Sequence, residues 1–441
     1  MKPVSVLAID LGTSSVRTAL FDLQGKRQFN STAQQTYRVH YSATGGAELD
    51  PHTLRTAAHR CLRQTLQHNR GYLLGVGVSC FWHSVLGTDR TGRPVTPIYT
   101  WADSRCQPQA QQLRAERSER RYHAQTGCML RASYWPAKLR WLKKIRACRW
   151  LAPADWLFGA PHTSFSMASG TGLFDLARGD WVDWAPHSQL LPVTDAPFRC
   201  PTFPELADVA WFPAIGDGAA GNLGSDATAP ATAAINFGTS AAVRILSQAG
   251  RAPFGFFRYQ VDHQRQLIGG AISNAGNLWE WCRRELQPNQ PRITPPGGLT
   301  VLPFWVSERA PTWPEEKRGA ITGLTRGTTA TDIFQAVTAA TFYRLAEIAD
   351  RLPATQYVVS GGLAKSRVDL QRLADVLGRA VRVCPEPEAS LRGAAVFVLN
   401  KFGIPVPPLP AGHAFRPRRT LTALHRAARR RQVQLEQRYG Y

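Results

Sequence analysis

Long apolar runs are missing from this chain: no stretch approaches the roughly eighteen successive apolar residues that a membrane helix needs. The first apolar run meets Asp10 too early to be the hydrophobic core of a secretory signal. Clustered cysteine is missing as well. Cys61, Cys80, Cys106, Cys128, Cys148, Cys200, Cys282 and Cys384 are scattered, with no CxxC pair and no Cys/His cluster. That spacing argues against a disulfide framework or a zinc site and for free thiols in a reducing compartment. The expectation is a soluble, cytoplasmic protein without a membrane partner. Acid is scarce: 31 Asp and Glu face 53 Lys and Arg, for a net charge of +22. Much of the excess is local. Between His413 and Tyr441, Arg416, Arg418, Arg419, Arg426, Arg429, Arg430, Arg431 and Arg438 meet one acid, Glu436. The contiguous Arg429, Arg430 and Arg431 spread around a helix instead of forming one stripe. No RNA- or DNA-reading motif accompanies them, so nucleic acid is disfavoured. A solvated basic C-terminal helix and a polyanion site both stay open.

What is present is core-forming material and a repeat. The 441 residues are 44% hydrophobic and 10% aromatic, enough for two large lobes. Val4 to Asp10 reads as a buried strand ending in a carboxylate, followed by Gly12-Thr13-Ser14-Ser15 and a second strand, Val16 to Phe21. Ala234-Ile235-Asn236-Phe237-Gly238-Thr239-Ser240 repeats Ala8-Ile9-Asp10-Leu11-Gly12-Thr13-Ser14 at a distance of 226 residues, again with a strand after it. Two copies imply two related lobes, one beginning at each. Glycine lets backbone approach an anion, turn N–H groups point at phosphate oxygens, and Thr and Ser add hydroxyl donors. One such hairpin is ordinary turn chemistry; two in matching places can grip one polyphosphate.

Between the copies, Trp211 to Asn222 delivers Asp217 into a glycine-flanked turn. Locally Asp217 is either a helix N-cap or a proton acceptor at the mouth of a phosphate site; the flanking repeats favour the acceptor. Tyr357 to Ser366 reads as strand, Gly361-Gly362, helix. That suits a nucleotide against a helix start, and equally a plain tight turn. On the first lobe, Ser79 to Ser84 and Thr100 to Arg105 bring His83, Trp101 and Asp103, which offer a sugar flat apolar faces and paired hydrogen bonds. Taken alone, His83 is as well a satisfied core histidine.

Jointly these residues resemble the FGGY carbohydrate kinases. The resemblance runs from Val4 to Phe402 and includes Gly216-Asp217-Gly218, Arg318 to Thr325, Ser360-Gly361-Gly362 and Glu386 to Ala395. It implies an α/β, two-lobed actin-like ATPase (ribonuclease-H-like) fold with a central cleft. The lobes are expected at 1–226 (sugar, first hairpin, base) and 227–441 (nucleotide, basic helix). It implies ATP and Mg²⁺, with Asp10 near the metal-bound phosphates, Thr13 and Ser14 on the γ-phosphate side, and Thr239 holding phosphate from the second lobe. Gly12 and Gly238 belong to the two phosphate turns, Gly327, Gly361 and Gly362 to the nucleotide site, and Ser366 stands where many relatives have Asn. The resemblance makes Asp217 the general base. Within the family, His83-Ser84, Trp101 to Arg105, Tyr134 to Leu142 and Ser166 to Gly172 look most like gluconate kinases. An aldonate wants a cation near its carboxylate, and Arg105 and Arg131 are the candidates. Xylulose or another ketose or polyol is the alternative substrate. Departures are Ala339, where many relatives carry an acid, and shortened stretches near Pro153–Thr163, Cys200–Val209 and Gln287–Gly298. Rival classes are a polyanion-binding protein on the same scaffold and an actin- or chaperone-like ATPase; a homodimer is the one protein–protein contact to look for.

Overall fold

The computed structural model of the protein describes residues 2–248, 250–289, 297–314 and 316–440, so the middle of the shortened stretch near Gln287–Gly298 lies outside the described residues. The apolar Val4–Leu11 forms strand β1, and Ser15–Phe21 returns antiparallel as β2, with β3 (Ala33–Thr36) beside it. Helix α1 (Pro51–Leu66) starts where Asp50 accepts a hydrogen bond from the Thr53 N–H and Pro51 opens the first turn. It leads to β4 (Tyr72–Cys80), parallel to β1, and β5 (Ile215–Gly216) lies parallel to β4. The sheet order is β5-β4-β1-β2-β3. Strand β1 is buried on both faces, which explains why its sequence is continuously apolar and not alternating.

Helix α2 (Asp217–Gly224) leaves β5 directly. The second lobe then repeats the plan. Strands β6 (Thr232–Phe237) and β7 (Ala241–Ser247) form the antiparallel pair, extended by β9 (Gln266–Ile272) and β8 (Phe257–Gln260). After helix α3 (Ala330–Ala349), β10 (Gln356–Gly361) pairs parallel with β6, as β4 does with β1. Helix α4 (Arg367–Leu377), β11 (Val381–Val383), helix α5 (Ala389–Lys401), β12 (Ala414–Phe415) and helix α6 (Arg419–Arg438) follow, giving the order β8-β9-β7-β6-β10-β11-β12. The repeat read in sequence is thus a repeat of structure, and the fold is the two-lobed α/β one expected.

There are two apolar cores, and the one under the first sheet also takes in Ala242, Phe257, Tyr259 and Leu267 of the second lobe and one later helix. Helix α5 packs on α2, β1 and β4, and its Leu391, Phe397 and Leu399 belong to the first lobe's core. This helix follows β11 of the second lobe in the chain but packs on the first lobe. The basic helix α6 docks on α3 and α4 through Thr422, His425, Ala428 and Gln432. Arg418 pairs with Asp375 at 2.5 Å and Arg429 with Asp350 at 2.6 Å, while Arg430, Arg431 and Arg438 are exposed. All eight cysteines are free, and among the described residues no helix is long and apolar enough to cross a membrane.

Candidate active site

Strands β1, β4 and β5 end side by side: Asp10 faces Ser79, and Gly216 faces Cys80. The Asp10 carboxylate accepts hydrogen bonds from Ser79 Oγ at 2.7 Å and Arg17 Nη2 at 2.6 Å, and Arg17 also bridges to Glu388. One step past β5 comes Asp217. Its flanking glycines make room for an indole: a Cβ at Gly216 would lie 1.7 Å from the Trp82 ring, and one at Gly218 would lie 2.7 Å from it. In the second lobe Phe237 faces Gly361, which sets the turn at Gly238-Thr239 beside Gly361-Gly362. Both lobes therefore offer the carboxyl ends of their parallel strands, where α/β folds bind ligands.

These ends meet at a cavity of about 220 Å³. Its lining includes Thr13 from the first hairpin, Gly238 and Thr239 from the second, and Asp217. Aromatic groups complete the wall: Trp82, His83, Trp101, Tyr134, Tyr259 and Trp313. Tyr134 and Tyr259 join hydroxyls at 2.7 Å, and both rings stand edge-on to His83. His83 holds a left-handed backbone, φ 66°, fixed from below by Lys138, whose Nζ donates to the His83 and Ser133 carbonyls at 3.3 and 2.6 Å. Burial pushes the Lys138 ammonium down to about 8 and the His83 imidazole down to about 3. His83 is therefore neutral at physiological pH. With Nδ1 2.5 Å from the Gly170 carbonyl, the N–H sits there and Nε2 is left as an acceptor.

Asp217 keeps part of its surface open to this cavity, and its Oδ1 accepts from the Gly218 N–H at 2.8 Å. Burial raises its pKa above the usual aspartate value; Arg244 opposes the rise, and Asp10 adds to it. Two guanidinium groups, Arg244 and Arg309, line the same cavity. Burial lowers the pKa of each, so their charge is held against a desolvation cost.

The structure brings Thr13, His83, Trp101, Asp217, Gly238 and Thr239 onto one wall, whereas Asp10 and Gly12, just before Thr13 in the chain, do not line it. It does not bring Asp103 and Arg105 there. Asp103 is buried, accepting from the Ala47 N–H at 3.0 Å and from Arg105, which also pairs with Glu48 at 2.6 Å. They staple the turn that carries Trp101. Arg131 is likewise engaged by Glu119 and stands behind Trp313. Neither Arg105 nor Arg131 lines the cavity, whereas Arg244 and Arg309 do. Ser14 is exposed on the first turn. Gly361 and Gly362 are exposed beside the second turn, whereas Gly327 stands in an exposed loop ahead of α3, off the cavity wall. Ser366 is committed to capping α4, donating to Asp369 Oδ2 at 2.7 Å and accepting from the Asp369 N–H.

Sequence reading did not find Trp82, Tyr134, Tyr259, Lys138, Arg244 or Arg309. Arg244 had a signal, an arginine interrupting an apolar strand just after the second hairpin. Arg309 had none, since its loop joins the cavity only through the fold.

Comparison with known proteins bears on the family and the fold. Residues 5–233 match the N-terminal domain of the FGGY family of carbohydrate kinases, and residues 233–399 match the C-terminal domain. The chain is 27% identical to a gluconokinase of Bacillus subtilis (strain 168) and 29% identical to a glycerol kinase of Halorhodospira halophila (strain DSM 244 / SL1). Each of these alignments covers 90% of this chain and 88% of the relative. The solved xylulose kinase of Lactobacillus acidophilus superposes with a TM-score of 0.89 at 22% identity, covering 99% of this chain and 98% of that one.

Proposed function

The chain belongs to the FGGY family of carbohydrate kinases, and from that premise we propose that it transfers the γ-phosphoryl group of ATP to a primary hydroxyl of a sugar acid, D-gluconate first. One observation carries the reading: Asp217 opens onto a single cavity lined by Thr13 of one phosphate hairpin and Thr239 of the other. The turn N–H groups and these hydroxyls hold the phosphates, and Gly361-Gly362 flank the nucleoside. Asp217 takes the proton of the acceptor hydroxyl as that oxygen attacks phosphorus in line. Burial strengthens it as a base, while Arg244 favours its ionised form. The rings around His83 give the carbon chain an apolar face, and His83 Nε2 accepts from a hydroxyl.

Among the described residues no group of three or more His, Cys, Asp or Glu is built to cage a metal. The donors present fit Mg²⁺ carried mainly by ATP phosphates and water, where it neutralises charge on the transferring group. Asp10, whose two oxygens already accept hydrogen bonds, is the carboxylate to meet that hydrated ion.

A neutral ketose or polyol is the second reading, favoured by the uncharged part of the wall, His83, Tyr134 and Tyr259. The test is ADP release with ATP and Mg²⁺ across D-gluconate, D-xylulose, glycerol and other polyols. Gluconate is expected to give the highest kcat/KM. Turnover best with a neutral acceptor selects the second reading, and ADP release independent of every acceptor contradicts both.

A further inference from the structure

Arginine is abundant around this cleft, and most of it is spoken for. Arg17 pairs with Asp10 and Glu388, Arg105 with Asp103 and Glu48, and Arg131 with Glu119. Arg244 and Arg309 are different: neither forms an ion pair among the described residues, and both line the cavity. The wall thus carries two guanidinium groups against one carboxylate, Asp217. A half-buried guanidinium with no carboxylate beside it is partly desolvated, and an anionic ligand relieves that cost.

We propose that Arg309 is the residue that reads a carboxylate on the acceptor, and that it sets the selection of sugar acids over neutral sugars of the same length; this rests on the kinase reading above. Its guanidinium is fixed in place. Nε donates to Ser273 Oγ at 3.2 Å, Nη2 donates to the Ile272 carbonyl at 2.9 Å, and the group lies over the Trp101 ring at 5.0 Å. Those contacts leave Nη1 and the second Nη2 proton unspent, and a planar, pre-oriented fork is what a carboxylate matches. The neighbouring acid does not cap it. Glu308 is buried and accepts from the Ser273 N–H, from Asn274 Nδ2 at 3.0 Å and from the Arg309 N–H at 2.8 Å.

Arg244 stands at the other end of the task. It is the strongest charge opposing the pKa rise of Asp217, whereas Arg309 acts on Asp217 more weakly. Its guanidinium is packed against Gly218, where a Cβ would lie 2.8 Å from Nε, and it makes no side-chain hydrogen bond among the described residues. Packed against the residue that follows the proposed base, Arg244 is assigned to the phosphoryl end in this proposal. In an aldonate the reacting primary hydroxyl and the carboxylate are at opposite ends of the carbon chain, so with the hydroxyl at Asp217 the carboxylate falls to Arg309.

The experiment compares D-gluconate with D-glucitol, the same skeleton with a hydroxymethyl group in place of the carboxylate, in wild type, Arg309→Met and Arg309→Lys. A site that pairs a carboxylate rejects the analogue lacking it because the cation is left unpaired. Wild type is expected to favour gluconate at least about tenfold in kcat/KM, on the scale of one charge-assisted hydrogen bond. In Arg309→Met that ratio falls to within about threefold, mostly through KM for gluconate, and Arg309→Lys falls between because the charge stays and the fork is lost. Gluconate binding is followed in parallel without ATP by tryptophan fluorescence, since Trp82, Trp101 and Trp313 line the cavity. A preference for gluconate that survives in folded Arg309→Met overturns the proposal, as does a wild type that prefers glucitol. The wild-type ratio and Arg309→Lys decide the matter if the Met variant does not fold. Arg309-dependent gluconate binding with no phosphoryl transfer supports the carboxylate site while removing the kinase reading.

Discussion

Thr239 brings a hydroxyl to the cavity from an exposed turn whose shape is set by backbone, with the Gly238 N–H donating to the Ser240 carbonyl at 2.9 Å. Thr239→Val keeps that turn and the side-chain volume while removing one donor. If the hydroxyl meets a phosphate oxygen, about 1.5–3 kcal/mol of charge-assisted interaction is lost. Steady-state kinetics in ATP should then show a tenfold or greater fall in kcat/KM, and unchanged values would make the hairpin structural only. Asp217 supports a second prediction, on stability. Its folded pKa is raised, so its charged form is disfavoured by folding; the cost is absent below the unfolded value near 3.9, grows between that value and the folded one, and is full above both. Asp217→Asn removes an ionisation that folding opposes. Its ligand-free thermal midpoint should equal or exceed that of wild type at pH 7, with the difference narrowing toward pH 4. A midpoint lower at pH 7 than at pH 4, relative to wild type, would mean that Arg244 needs the carboxylate more than burial disfavours it.

Elements show why part of the site was legible in sequence and part was not. A strand, a glycine turn and a returning strand are local, so the hairpins at Gly12 and Gly238 could be read as a repeat, as could the delivery of Asp217 by a short strand. The aromatic wall could not, because Trp82, Tyr134 and Tyr259 meet only through the fold. Asp103 and Arg105 lie off the cavity for the opposite reason: they follow Trp101 closely in sequence, but the turn directs them to Ala47 and Glu48. The crossover of α5 was equally hidden. It depends on close contact with α2, where a Cβ at Gly393 would lie 1.8 Å from the Ala220 carbonyl oxygen and one at Gly224 would lie 1.7 Å from that of Ala389. Backbone cannot yield as a flexible side chain does. Gly393→Ala should therefore destabilise by about 1–3 kcal/mol, an overpacking cost. It should also lower kcat, since α2 begins with Asp217. A urea unfolding midpoint equal to that of wild type would show that the two helices can part without loss.

Across the whole molecule, two sheets built on one plan put the carboxyl ends of their parallel strands around one cleft. Charge follows the same division: the arginines of α6 dock on the second lobe or face outward, while the cleft concentrates, beside one carboxylate, two guanidinium groups that form no ion pair among the described residues. In the proposed reaction Asp217 accepts the proton while the two hairpins hold ATP across from the acceptor. Asp217→Asn keeps the side chain's shape, removes the base and leaves Thr13, Thr239 and the Gly361-Gly362 turn untouched. General-base catalysis is worth roughly 10²–10⁴-fold, so kcat with the preferred acceptor should fall by at least about a hundredfold. ATP affinity, measured by calorimetry on the same variant, should stay within about threefold of wild type. Near-normal turnover by Asp217→Asn would contradict the account.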